Sequence, residues 1–173
     1  MPKVKNPLSF LEKSEVVAGW VDGNLTADEA YAHLLAKKAT GQNQPSIKRP
    51  VTLALIARTL NYGREPGETL EGRKYGRIPA RPFMDLAMEN FRKKLPKILK
   101  YNLPKVLNKK MTQKALLTQI GERMAGEIKE AMTNGDWQPL APATLRARRH
   151  GGDKPLIDTG TLRSSVSFEI RKK

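Results

Sequence analysis

Two apolar stripes at helical spacing dominate the pattern of the chain. After Pro82, the residues Met84, Ala87, Met88, Phe91, Leu95 and Ile98 recur every three or four positions, and Lys93, Lys97 and Lys100 fall on the opposite side. From Thr112 to Met132 a second stripe, Leu117, Ile120, Met124, Ile128 and Ala131, predicts a long helix that Asn134-Gly135 stops. Pro96 and Pro104 interrupt the first stripe. A proline inside a helix removes a hydrogen bond and costs about 3 kcal/mol, so kinks or a restart are expected there. Gly121 lies inside the second stripe. It costs about 1 kcal/mol against alanine and marks either a close crossing or a tolerated defect.

Shorter patterns fill in the rest. Leu53, Ile56, Ala57 and Leu60 predict a helix that Pro50 opens and Gly63 ends. Leu25–Lys38 reads as another, with Thr26 and Glu29 spaced as a capping box. Glu15–Val21 reads as a strand running into the turn dipeptide Asp22-Gly23, and a short basic helix is expected from Pro142 to Arg149. Within Ser165–Arg171, Val166, Phe168 and Ile170 alternate with polar residues at the period of a half-buried strand. Strands near both ends with helices between predict an α+β fold: a small antiparallel sheet packed by several helices, among them a kinked basic helix and one long helix. Residues 1–14 are read as a polar extension along the surface and 15–173 as one domain. Residues 40–50 form a polar, mobile connector, and 63–82 form glycine- and proline-rich extended chain.

Composition narrows the function classes. There is no cysteine, which removes disulfides, zinc–thiolate sites and thiol catalysis together, and only His33 and His150 could serve a histidine-based site. His33 has Glu29 four residues before it, a spacing that favours a surface pair over a metal site. No apolar run approaches the roughly 20 residues that span a bilayer, and nothing after Met1-Pro2-Lys3 resembles a signal peptide, so no membrane partner is expected. Lys and Arg number 32 against 17 Asp and Glu, a net charge of +15. Such an excess favours a polyanionic partner, with a merely well-solvated surface as the other explanation.

Catalytic motifs do not survive inspection. Leu156-Ile157-Asp158-Thr159-Gly160 has the form of an aspartic-protease signature, but that chemistry needs two aspartates sharing a proton, and Thr161–Lys173 is too short to build a substrate cleft. The expected structure is a turn, with Asp158 capping it and Gly160 at positive φ. Ser164 and Ser165 lack both a nearby histidine and a nucleophile-elbow context. No cofactor or metal is expected, and no enzymatic activity. Basic residues carry the stronger signal. Nine of them and no acid lie between Arg92 and Lys114, including Lys109 and Lys110, and a second cluster holds Arg146, Arg148 and Arg149 with His150 and Lys154. Facing DNA, such lysines would meet phosphates, without regard to sequence and with strong salt dependence. The excess of lysine over arginine and the scarcity of aromatics argue against base reading or single-strand stacking.

Three strings, in this order, resemble the phage virion-morphogenesis and tail-completion proteins, a family that includes head–tail joining proteins and the G-like morphogenesis proteins of Mu-type phages. They are Thr52–Gly63; Gly76–Met84, which contains Ile78-Pro79-Ala80-Arg81-Pro82-Phe83; and Asp136–Leu145 with Trp137, Pro139 and Leu140, followed by Pro155–Leu162 with Asp158, Thr159, Gly160 and Leu162. The resemblance implies a small α+β domain without catalysis, assembling as a ring at the head–tail interface. Sixfold symmetry is favoured over twelvefold. Implied partners are portal or adaptor proteins, the tail terminator or tail tube, and genomic DNA passing non-specifically through the lumen. The implied location is the virion neck, after assembly in the host cytoplasm. A free, sequence-independent DNA-binding protein is the alternative.

Overall fold

A computed structural model describes residues 9–21, 52–68, 72, 74–148 and 152–172. The expected helix over Leu25–Lys38, the connector at 40–50, and His33, Arg149 and His150 lie outside these residues. Chain order is α1 (Ser9–Lys13), β1 (Ser14–Gly19), α2 (Leu53–Tyr62), β2 (Gly67–Glu68), β3 (Lys74–Tyr75), α3 (Phe83–Leu107), α4 (Gln113–Asn134), α5 (Pro142–Ala147), α6 (Thr161–Ser164) and β4 (Ser167–Lys172). The fold is α+β. β1 and β4 pair antiparallel from Ser14–Lys172 to Gly19–Ser167, and β2 and β3 form a separate two-stranded ribbon. Among the described residues, no helix is long and apolar enough to cross a membrane.

The two long helices form an antiparallel helical hairpin around the 108–112 turn. α3 has 25 residues and α4 has 22, so they run about 37 and 33 Å. α4 also carries the terminal sheet, and two apolar clusters line its length. One, around Phe83, Ala125, Ile128, Met132 and Val166, lies toward its C-terminal half. The other joins Phe10, Phe91, Leu116, Leu117 and Ile120 toward its N-terminal half. Gly121 stands where α4 meets β4: a Cβ there would lie 2.1 Å from Phe168 Cδ2. The glycine is therefore a close approach of helix to strand.

Capping explains the helix starts. Thr112 Oγ1 accepts from Ala115 N, and Thr52 Oγ1 accepts from Leu55 N as the N-cap of α2; Pro50, expected to open that helix, lies outside the described residues. Pro82 precedes α3 but has no side chain to cap it. Asn61, buried at the end of α2, lends its Oδ1 to Met84 N at 2.9 Å. Gly63 then turns the chain at φ 76, where a Cβ would meet Ile78 O and Ala80 N at 2.7 Å, and Arg64 bridges Ile78.

Several expectations are corrected. α3 runs unbroken through Pro96 and Pro104, with no restart. Both prolines lie on its exposed side, and the carbonyls they leave open belong to the exposed residues Arg92 and Lys100. Leu95, Ile98, Leu99, Leu103 and Val106 pack the other side onto the core and hold the helix together. Met88, assigned to the apolar face, is exposed. Residues 9–13 are not surface extension: they form α1, and Phe10 is buried among Phe91, Leu116 and Leu117.

Candidate functional site

The strings Thr52–Gly63, Gly76–Met84 and Asp136–Leu145 with Pro155–Leu162 meet in one place. Ala57, Phe83 and Leu156 belong to the same buried cluster on the C-terminal half of α4, and Leu60, Trp137 and Leu162 pack against it. Trp20 Nε1 donates to Leu162 O at 3.0 Å, and its ring stands edge-on to Phe83 with centroids 6.1 Å apart. Trp137 covers Gly135 and donates from Nε1 to Ala131 O. Arg81 is buried and donates through Nε and Nη2 to Gln138 O at 3.2 and 3.0 Å, which ties the turn before α3 to the loop after α4. Its burial, and then the neighbouring Arg148 guanidinium, lower its pKa from the ordinary arginine value. Pro79 and Leu140 are half-buried there, while Pro139 is exposed.

The Asp158–Gly160 stretch is an exposed bend with Gly160 at φ 80. Its cap differs from expectation. Thr159 Oγ1, not the Asp158 carboxylate, accepts from Thr161 N, and Asp158 lies 3.9 Å from Arg148 Nε. No cluster of three or more His, Cys, Asp or Glu that could hold a metal occurs among the described residues.

Arg148 does not belong to a DNA-facing surface. Its side chain is only 7% exposed, and its guanidinium donates to the carbonyls of Gly152, Ile157 and Pro155. It is a peg for the 152–157 loop. Arg146 remains exposed on α5. The two residues are drawn apart because α5 ends between them: Arg146 stays on the helix surface and Arg148 turns inward.

The basic run of the helical hairpin also divides. Toward the open end, cations meet carboxylates. Lys93 Nζ lies 2.6 Å from Glu89 Oε1, and this bond and charge hold the Glu89 carboxyl below its ordinary pKa. Lys94 Nζ and Arg123 Nε lie 2.7 and 2.8 Å from the oxygens of Glu127, whose side chain is 1% exposed. Toward the closed end, no Asp or Glu occurs from Leu95 to Gly121, while Lys97, Lys100, Lys105, Lys109, Lys110 and Lys114 do. Among the described residues, none of these six has a carboxylate within 4.0 Å. All but the half-buried Lys105 are exposed, and Lys105 Nζ stands 3.5 Å over the ring of the exposed Tyr101. The hairpin is therefore charge-balanced at one end and strongly positive at the other.

The turn at the positive end has its own signature. Lys110 N donates to Lys105 O and Lys109 N to Val106 O, the paired bonds of a Schellman motif ending α3. Lys109 takes the left-handed position at φ 57, where glycine is the usual residue. Neither this conformation nor the buried Glu127 was visible in the sequence pattern.

The chain matches no family model, no curated protein and no solved structure.

Proposed function

We propose that the protein is a structural part of a tailed-phage particle, from the neck or tail-completion region, and that copies close into a ring around the DNA channel. The observation that carries this reading is the segregation of charge along the helical hairpin. A building block around a DNA path needs a positive surface that contacts phosphates without reading bases, and exposed lysines with no carboxylate partner among the described residues provide one. The convergence of the three family-like strings on one packed cluster supports the same reading, since residues shared for structural reasons belong in a core. The role assigned is shape and potential, with no turnover. Portal or adaptor proteins above and the tail terminator or tube below are the neighbours that follow from it.

Mass spectrometry of purified virions and of assembly intermediates tests the proposal. The chain should be present at fixed stoichiometry in one or both. Its absence from all of them, together with salt-sensitive DNA binding by the free protein, would favour an independent DNA-binding protein.

A further inference from the structure

We infer that the closed end of the helical hairpin is a contact for the phosphate backbone of duplex nucleic acid, with Lys109 exposed in its turn in a left-handed conformation. This rests on the proposed function only for where the duplex comes from; the contact itself stands on the charges and the backbone.

The first observation is net charge that no carboxylate among the described residues offsets. Lys114 is two turns of α4, about 12 Å, from Glu122, the nearest acid on that helix. The Debye length at physiological salt is about 8 Å, so that carboxylate does little for Lys114 and less for Lys109 and Lys110 beyond it. α1, β1 and β4, which pack near this end, carry as many bases as acids: Lys13, Arg171 and Lys172 stand against Glu12, Glu15 and Glu169, and Arg171 is ion-paired to Glu169. The second observation is conformational. A non-glycine residue in the left-handed region is strained, and the chain keeps an exposed lysine there. Strain retained at an exposed charge points to a use for that charge.

The choice of residue separates nucleic acid from an acidic protein. Protein interfaces favour arginine and aromatic anchors and are depleted in lysine. Leu95–Gly121 contains six lysines, no arginine and one aromatic, Tyr101. Lysine binds phosphate as a mobile point charge that tolerates any register along a backbone, whereas arginine forks hold carboxylates and phosphates alike in fixed bidentate geometry.

Binding of the full chain to a fluorescent duplex of random sequence, measured over a range of salt, provides the test. Changing Lys109, Lys110 and Lys114 together to glutamine should lower the slope of log affinity against log salt by about two to three, since each phosphate contact contributes about 0.9. Lys93→Gln and Arg146→Gln should leave the slope within about half a unit of the wild type. Lys109→Gly should move two readouts in opposite directions: a higher melting temperature, from relief of the left-handed strain, and about 5- to 10-fold weaker binding at 0.1 M salt. An unchanged slope in the triple variant would overturn the inference. So would Lys109→Gly binding as tightly as wild type, or polyglutamate outcompeting duplex at equal charge, which would assign the end to an acidic protein. The assay uses isolated protein, so its result is independent of whether the chain is found in virions.

Discussion

Replacing Gly121 by alanine tests how the sheet is seated on α4. The added methyl would stand 2.1, 2.5 and 2.7 Å from Cδ2, Cγ and Cε2 of Phe168. Carbon atoms settle at about 3.5–4.0 Å, so the ring must withdraw by more than 1 Å. Phe168 cannot withdraw alone, because it belongs to β4 and is paired to Ala18 of β1. Overpacking of this kind costs about 1–3 kcal/mol, and the required shift favours the upper half of that range. Alanine returns about 1 kcal/mol of helix propensity. A net loss of about 1–2 kcal/mol remains, or about 2–8 °C in melting temperature for a domain of this size. Urea unfolding followed by far-UV circular dichroism measures it, and adding Phe168→Leu to Gly121→Ala should recover part of the loss. A Gly121→Ala protein more stable than wild type by about 1 kcal/mol would refute the reasoning, since propensity alone would then be acting.

Other substitutions give distinct outcomes. Arg81→Ala should cost about 2–3 kcal/mol in urea unfolding, because it leaves the Gln138 carbonyl without its donors, and Arg81→Lys should restore little of it for lack of the planar fork. Glu127→Ala should cost about 1–2 kcal/mol, below the range for stranding a buried charge, because Lys94 and Arg123 can turn to solvent once released. The depressed Glu89 carboxyl contributes stability above its unfolded pKa and loses it as pH falls through the folded value. In an NMR titration, Lys93→Gln should move that carboxyl upward, and salt should do the same.

The elements legible in the sequence were those with strong periodicity or local capping. The stripe from Leu117 to Ala131 fixed the buried side of α4, and the alternation of Val166, Phe168 and Ile170 fixed β4. The β1–β4 register was not legible, because pairing of distant strands depends on the helix between them. α3 misled for a different reason: the proline penalty is local, whereas the packing of Leu95, Ile98, Leu99 and Leu103 that outweighs it is tertiary. The site shows the same division. Counting charges found the basic run, but charge counts carry no burial, so Arg148 and Lys93 stood beside Lys109 and Lys110. Only the fold separates a peg and an ion-paired residue from uncompensated cations.

Electron microscopy of the purified chain tests the central claim most directly. Closed rings of one symmetry are expected, with a lumen that admits a duplex and is lined by the 108–112 turns. Monomers at every concentration and salt, or rings carrying those turns on the outside, would contradict it.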